Sequence, residues 1–448
     1  MKKLTTSQLI LLSFAVAVLA GSIILWLPVS SQNGVSVSYI DALFTATTSV
    51  CVTGLVTVTT ATQWSFFGQA VILILIQIGG LGVITIATRL MILFTNKIKL
   101  SDRLLLQDAF NLNGISGMAK FVKKVVLGSL VVEGIGALLY MTVYVPEYGA
   151  KGIWYSLFNS VSAFCNAGID VIKSNSLIDY ATNPIINVVT CLLVVIGGIG
   201  YIVWWDIIRV LKLRQNRKVK MWQSLTLHSK IAIKVTLILI FGGAVIIMAC
   251  EYNNPETVGE MNFLQKFTVS LFQSITCRTA GFATVPQESL TNGASVVSLV
   301  LMFIGGSPAG TAGGIKTVTV AVLVLSTISV VKDKNEVEVF GRRLTSTAVR
   351  KSVAVCTVSF SIVLISTLAL SLVQDAEFID ILFEIVSATA TVGLSRNLTP
   401  YLSLAGKIII IFTMFLGRVG PISLAFALNG KQKGVNTIKD PVEEISVG

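Results

Sequence analysis

Four short segments of this 448-residue chain are copies of one another, and each ends at a glycine. The glycines are Gly54, Gly168, Gly281 and Gly393, separated by steps of 114, 113 and 112 residues. A Leu-Phe pair stands eleven residues before the glycine in three copies and ten residues before it in the third. A period this regular indicates that one structural unit is used four times along the chain.

The composition places these units in a membrane. Hydrophobic residues make up 54% of the chain and charged residues only 12%, against about 25% charged residues in soluble proteins. A helix needs about 20 apolar residues to cross a bilayer. The sequence predicts seven such runs and an interrupted eighth at 296–331; the seven lie at 9–27, 67–94, 121–143, 185–208, 231–249, 353–373 and 408–428. We expect the first run to be retained, because it is longer than the core of a signal peptide.

The net charge of +12 marks topology. Lysine and arginine concentrate between successive units, in segments 97–124, 209–234 and 332–351, whereas the opposite loops carry acids such as Glu256 and Asp375. The positive-inside rule therefore predicts that both termini and the segments between units are cytoplasmic. Anionic lipid head groups account for part of the basic excess, and nucleic acid is not implied as a partner.

Each unit combines two spanning runs with a shorter stretch between them. In the first unit this stretch covers residues 37–49, or roughly 20 Å as a helix, which is too short to cross. Because the basic segments all lie on one side, the short stretch must enter and leave by the same face. Irregular backbone at membrane depth is tolerated only where protein buries it or water reaches it, so we expect four such loops around a shared axis.

The predicted fold is therefore an all-α integral membrane protein. Its four helix–pore loop–helix repeats surround a central pore with pseudo-fourfold symmetry. The expected boundaries are 1–95 for repeat 1, 115–212 for repeat 2, 228–332 for repeat 3, 347–430 for repeat 4 and 431–448 for a cytoplasmic tail.

The glycine-tipped loops suit a desolvated monovalent cation. Successive backbone carbonyls of an extended loop supply several oxygen ligands, and glycine permits backbone angles that a Cβ would obstruct. No acidic ring is present, as a Ca²⁺ site would require, so we expect K⁺ at the filter carbonyls. The predicted filter residues are Val52, Thr53, Gly54, Asn166, Ala167, Gly168, Thr279, Ala280, Gly281, Thr391, Val392 and Gly393.

The last helix of the third unit is predicted to be broken at 305–314. Its glycines and a proline cannot hold a regular helix, so we expect a loop inside the membrane beneath the filter; a simple kink is the alternative. The loop residues proposed for a gate are Gly305, Gly306, Ser307, Gly310, Thr311, Gly313 and Gly314. Arg418 lies within an apolar run, where a charge must face a polar interior. It is either part of the gate or a structural clamp.

Glycine clusters recur in the last helix of every unit, at 79–82, 197–200, 305–307 and 417–420. Small residues allow close helix approach, and packing is the simpler interpretation of the first two clusters. Arg278 and Arg396 flank filter loops and are expected to brace them or to pair with acids such as Asp170 or Glu384.

These motifs as a set resemble the Trk/Ktr/HKT superfamily of cation transporters. The segment from Thr391 to Leu394, T-V-G-L, is close to the T-V-G-Y of potassium channels, and the G-G-L-G at Gly79 makes the chain most similar to bacterial Ktr membrane subunits. The resemblance implies multi-pass potassium uptake in a bacterial plasma membrane, with an intramembrane gating loop and Arg418 near it. It also implies Na⁺ stimulation, a homodimer and a cytosolic nucleotide-binding regulatory ring. Some Na⁺-preferring relatives carry serine in the first loop, so Gly54 favours K⁺.

Two transport alternatives stay open at this point. One is a K⁺/Na⁺ or K⁺/H⁺ symporter, for which Glu133 is the only candidate intramembrane carboxylate; its partner cannot be read from the sequence. The other is a poorly selective Na⁺/K⁺ permease. An enzyme needs clustered His, Cys or carboxylate groups, but the six cysteines form no C-x-x-C pair and the chain has a single histidine. Neither an enzyme nor an organic cofactor is expected.

Overall fold

A computed structural model describes residues 6–83, 85, 118–216, 220–334 and 336–420. This part of the chain is almost entirely helical, so the predicted all-α fold is confirmed. Unit 1 contains helices α1 (Thr6–Trp26), α2 (Tyr39–Cys51) and α3 (Phe66–Leu81). Unit 2 contains α4 (Met118–Tyr148), α5 (Lys151–Cys165), α6 (Pro184–Gly198) and α7 (Tyr201–Asn216).

Units 3 and 4 repeat the same order. Unit 3 contains α8 (Leu227–Glu251), α9 (Phe263–Thr276), α10 (Asn292–Phe303) and α11 (Thr317–Val331). Unit 4 contains α12 (Ser346–Ser371), α13 (Phe378–Ala390) and α14 (Leu404–Val419). Between them lies a small antiparallel hairpin of strands β1 (Glu338–Val339) and β2 (Arg342–Arg343). The shorter helical turns are Thr60–Gln63, Met221–Ser224, Pro28–Ser30, Ile178–Tyr180 and Thr399–Tyr401.

Polar caps fix where the helices begin. Ser38 and Ser65 accept backbone N–H groups in the first turns of α2 and α3, which satisfies donors that the helix leaves unpaired. Asn262 and Gln265 form a reciprocal capping box at the start of α9. Pro184 opens α6, where its missing N–H costs no helical hydrogen bond. The starts of the short helices α2 and α9 are thus specified locally by the sequence.

The first helix of every unit is long and apolar enough to cross a membrane. Side chains such as Val16, Leu138, Ile238 and Ile365 are more than half exposed, and in a bilayer they face lipid. Shorter or bent apolar helices follow the short helices of units 1, 2 and 3 within the described ranges. The protein is accordingly a multi-pass membrane protein.

The predicted second spans are not continuous helices. α3 ends at Leu81 and α14 at Val419, each followed by a glycine with φ +87°. The remainders of predicted runs 67–94 and 408–428, and the tail 431–448, lie outside the described residues or beyond these helix ends. In unit 2, α6 and α7 meet at an angle of 95°, with Gly200 at φ +93° between them. The expectation that only the third unit is interrupted was therefore wrong.

The four units close into a ring. Each first helix packs against the short helix of its own unit, and each second helix packs against the short helix of the next unit. The cross-unit pairs are α3 with α5, α6 with α9, α10 with α13, and α14 with α2. The last of these pairs joins unit 4 back to unit 1, and the short helices are held inside the ring.

Candidate functional site

The short helices all end with a turn into the left-handed backbone region. Val52, Asn166 and Thr391 directly follow their helices with φ of +56°, +62° and +52°, and Thr279 has φ +68° in unit 3. Positive φ is rare for β-branched residues. It is held here by backbone hydrogen bonds, such as that from Thr53 N to the Thr48 carbonyl at 2.8 Å. The turn redirects the chain from a helix into an extended loop at each predicted filter segment.

The four glycines of the predicted filter segments meet in a ring, since a Cβ built on each of them would collide with a backbone carbonyl of another unit. A Cβ on Gly54 would stand 2.5 Å from the carbonyl oxygen of Ala167, and one on Gly168 would stand 2.6 Å from that of Ala280. In the same rotational sense, Gly281 faces the Val392 carbonyl. Gly393 completes the ring by facing the Thr53 carbonyl. Each glycine therefore makes room for a backbone carbonyl of the next unit, and the loops meet in chain order.

Hydroxyl side chains behind the loops form a second set of site residues, which sequence reasoning missed. Thr48 and Ser387 accept the N–H of Gly54 and Gly393 at 2.9 and 3.0 Å. The other two units use related contacts: Ser162 bonds both backbone groups of Ile169, and Thr276 donates to the Phe282 carbonyl. A hydroxyl residue six positions before the glycine, or five in the third copy, was the available signal.

The predicted loop between α10 and α11 is present, and it contacts the carboxyl ends of the short helices. Thr311 Oγ1 donates to the Phe164 carbonyl at 3.0 Å, and the Gly313 N–H donates to Thr279 Oγ1 at 3.2 Å. Ser307 N donates to the Gly198 carbonyl at 2.8 Å. The segment is thus a loop packed directly against predicted filter residues, which a single kink would not produce.

Arg418 crosses the space beside this loop. Its guanidinium donates to the Thr311 carbonyl of the loop at 2.7 Å and to the Gly79 carbonyl of unit 1 at 2.5 Å. Lys316 turns back onto the loop and donates to the Ala312 carbonyl at 2.6 Å. Both cations are half-buried and are satisfied by backbone carbonyls.

The two other arginines near the filter have different partners from those expected. Arg278 is buried and donates to the Gly305 carbonyl at 3.2 Å, so it contacts the start of the intramembrane loop. Arg396 pairs with Asp380 at 2.7 Å, in place of the expected Asp170 or Glu384. Glu384 is instead bonded by the hydroxyls of two residues in its own unit, Ser395 and Thr399.

An ion pair closes the ring between unit 4 and unit 1. Lys407 of α14 contacts Asp41 in the first turn of α2 at 2.6 Å. Burial raises the pKa of Asp41, but hydrogen bonds from Lys407, Ser38 and Thr57 outweigh this effect, so the net pKa lies below its ordinary value. The Asp41 carboxylate is therefore charged at neutral pH and available to hold Lys407.

Glu133 faces the neighbouring unit. Its carboxylate accepts from the Gln77 amide at 3.0 and 3.1 Å, and the Cys165 thiol lies 3.9 Å from it. The Glu133 backbone carbonyl accepts from Ser160 at 2.6 Å. The partner that the sequence left open is thus an amide of unit 1.

The chemistry available at the centre is that of carbonyl and hydroxyl oxygens. Among the described residues, no three His, Cys, Asp or Glu side chains are grouped to hold a metal ion. The filter residues, including Thr53, Ala167, Ala280 and Val392, are buried. Neutral oxygens in this number suit a monovalent cation that has lost its water.

Comparison with known proteins gives a consistent family. Residues 4–433 match the TrkH family, described as cation transport protein. The potassium/sodium uptake protein NtpJ of Enterococcus hirae is 37% identical over 453 residues, covering 100% of this chain and 98% of that protein. The Ktr system potassium uptake protein B of Bacillus subtilis is 38% identical over 447 residues, covering 100% of this chain and 97% of that protein.

The fold is also shared with a solved structure. The potassium transporter TrkH from Vibrio parahaemolyticus matches with a TM-score of 0.73 at 16% identity, covering 94% of this chain and 84% of that chain. The predicted resemblance to the Trk/Ktr/HKT superfamily is confirmed by these matches.

Proposed function

The chain belongs to the TrkH family of cation transport proteins, and from this premise we propose that it takes up potassium through the ring of four glycines. The observation that carries the proposal is the ring itself, in which each glycine faces a backbone carbonyl of the next unit. A Cβ at any of the four positions would collide with an oxygen of the kind that replaces the hydration shell of K⁺. Of two relatives that match over the whole chain, one is named a potassium/sodium uptake protein and the other a potassium uptake protein.

The intramembrane loop is the gate in this proposal. It lies against filter residues of two units through Thr311 and Gly313, and Arg418 and Lys316 bind its carbonyls. Fixed positive charges beside a cation path raise the energy of an ion there. Displacing the loop together with its cations would lower that barrier.

Regulation and orientation complete the proposal. Both termini and the segments between the four predicted repeats face the cytoplasm, where a nucleotide-binding ring contacts a homodimer of this chain. Na⁺ acts as an activator. The basic segments between units and the "Ktr system" name of a relative support this arrangement. Cysteine labelling from either side of the membrane tests the orientation, and crosslinking in membranes tests the dimer.

Growth of a potassium-uptake-deficient bacterium on limiting K⁺ tests the central claim. The gene is expressed with and without a cytosolic partner and with and without Na⁺, and the amount of protein in the membrane is measured in parallel. We expect rescue on limiting K⁺ when the partner is supplied. Absence of growth, with protein in the membrane and the partner present, contradicts the proposed function.

A coupled symporter is the second candidate, and Glu133 is the residue that favours it. A carboxylate buried to 3% exposure and met by an amide and a thiol is a reasonable proton or Na⁺ carrier. Substitution Glu133→Gln preserves the side-chain shape and removes the charge. Loss of H⁺- or Na⁺-linked K⁺ accumulation in proteoliposomes, with passive K⁺ flux retained, would favour symport. Equal loss of both fluxes would indicate a structural role.

A further inference from the structure

Arg278 is a buried cation that the filter itself does not use. The third filter segment is tied down by Thr276 through the Phe282 carbonyl, while the Arg278 guanidinium extends to the Gly305 carbonyl at 3.2 Å. Only 7% of Arg278 is exposed. Three residues before the glycine, the other copies have Cys51, Cys165 and Ala390. A charge at this depth is costly unless its hydrogen bonds are made.

Two polar atoms beside this contact have no hydrogen-bond partner in the described part of the protein. They are Nε of Arg278 and Oγ1 of Thr236 in α8. Both side chains line the same cavity of about 10 Å³, which lies between units 2 and 3 and is also bordered by Gly306 of the intramembrane loop. A cavity of this size holds about one water molecule, and buried water normally bridges such otherwise unpaired groups. Leaving a buried donor unpaired costs about 1–3 kcal/mol.

We propose that one water molecule in this cavity bridges Arg278 to Thr236, and that Arg278 is a positioning residue for the start of the intramembrane loop. The proposal rests on the gate function proposed above. Arg278 holds Gly305 at the start of the loop, Arg418 holds Thr311 in its middle, and Lys316 holds Ala312 near its end. Of these three cations, Arg278 alone belongs to a filter segment. Through the water, it joins that segment, the first helix of unit 3 and the loop.

This role differs from bracing of the filter in what a substitution changes. A residue that braces the filter alters the preference for K⁺ over Na⁺. A residue that fixes the loop alters the rate of K⁺ flux and leaves the ion preference intact. The bridging water belongs to the second role, because the cavity borders Gly306 and the end of α6 at Gly198.

The test uses the full-length protein in proteoliposomes without a cytosolic partner. Thr236→Val has the same shape as the natural residue but cannot bind the water. Because one hydrogen bond is worth about a two- to tenfold change in an equilibrium, we expect basal K⁺ flux to rise about threefold. Arg278→Lys keeps the charge and loses Nε, and we expect a rise of at least the same size. Thr327→Val is the matched control, since Thr327 is exposed on α11 and bonds only within that helix.

The outcomes separate this inference from the proposed function. Unchanged flux in Thr236→Val and Arg278→Lys, beside an active wild type, overturns it. A changed K⁺/Na⁺ ratio at unchanged flux also overturns it and assigns Arg278 to the filter. A wild type that shows no K⁺ flux even after the cytosolic partner is added refutes the proposed function, and the water is then tested by structure determination at a resolution that shows ordered waters. Density bridging Nε and Oγ1 supports the site, and a resolved cavity without density refutes it.

Discussion

At the scale of single residues, the four glycines of the proposed filter are needed for space as much as for backbone conformation. Gly54 has φ +100°, which disfavours any side chain, and its missing Cβ is the room taken by the Ala167 carbonyl. A side chain at one of these positions therefore disturbs two units at once. A glycine in an ordinary turn is needed only for its backbone conformation, whereas these four glycines must also leave space for a neighbouring carbonyl.

Substitution Gly54→Ser tests this dual role. The added Cβ must displace the Ala167 carbonyl, so we expect the preference for K⁺ over Na⁺ to fall about tenfold, equivalent to about 1.4 kcal/mol. The measurement is ion competition for uptake. Gly134→Ser is the control, because Gly134 has no atom within 4 Å of an added Cβ. An unchanged ion preference in Gly54→Ser would refute the filter assignment.

Arg418 is the second single residue for which we expect a specific effect on K⁺ flux. Substitution Arg418→Gln keeps hydrogen-bond donors for the Thr311 and Gly79 carbonyls and removes the charge. Because removing the charge removes its electrostatic repulsion of a cation in the path, we expect partner-independent K⁺ flux to increase about tenfold or more. Arg418→Lys should stay near wild type in this assay. Equal flux in wild type and Arg418→Gln would leave Arg418 as a clamp without effect on ions.

At the scale of elements, the sequence correctly predicted the features that depend on local residue patterns. The period of the glycines, the short helices and the break at 305–314 all depend on residue type and spacing, and they appear in the fold. The ends of α3 and α14 and the 95° bend between α6 and α7 were missed. Apolar runs continue past Gly82, Gly200 and Gly420, and hydropathy does not register a change of φ. The hydrogen-bond partners of Arg278, Arg396 and Glu133 could not be predicted from the sequence either, because they lie in other units or across loops.

The connection between a short helix and its loop gives a prediction at this scale. Ser387 accepts the Gly393 N–H within the structure, and alanine there leaves this donor without its acceptor at a typical cost of about 1–3 kcal/mol. We expect Ser387→Ala to reduce the K⁺/Na⁺ preference severalfold while protein yield in the membrane is unchanged.

The matched control for this helix-to-loop contact is Ser361→Ala. Ser361 is exposed on α12 and bonds to the Thr357 carbonyl of the same helix, so its loss should leave transport as in wild type. Thr48→Ala removes the corresponding contact to Gly54 and should reproduce the Ser387→Ala effect. If neither variant changes ion preference, the hydroxyls serve folding alone.

At the scale of the whole molecule, one seam differs from the other three. Three of the four seams join units that are consecutive in the chain. The fourth seam, between unit 4 and unit 1, is held only by noncovalent contacts. α14 packs against α2 at this seam, and Arg418 reaches Gly79 across it. The Lys407–Asp41 pair lies on the same seam with 17% and 15% of its side chains exposed. The ring therefore depends on noncovalent contacts where the chain supplies no connection.

Breaking the Lys407–Asp41 pair should loosen this seam. We expect Asp41→Asn to lower stability in detergent by between about 1 kcal/mol, the value for exposed pairs, and about 3 kcal/mol, the lower value for buried ones. The pKa of Asp41 is lowered in the folded state, so its contribution is complete above the ordinary value of 3.8 and disappears as the pH falls through the lowered pKa. Thermal unfolding from pH 7 down to about pH 3 measures the difference. The stability difference should be constant well above pH 3.8 and should shrink as the pH falls below this value.

Charge exchange distinguishes the seam from a local effect. The double variant Asp41→Lys with Lys407→Asp restores opposite charges, and we expect it to recover part of the lost stability and of the K⁺/Na⁺ preference. The exposed pair of Lys173 and Asp179 is the control, because breaking a solvated pair usually changes stability by less than about 1 kcal/mol. If Asp179→Asn lowers stability as much as Asp41→Asn does, the ion pair at the seam is no more important than an exposed one. Recovery in the double variant alone would show that closing the ring between its first and last units holds the filter in shape.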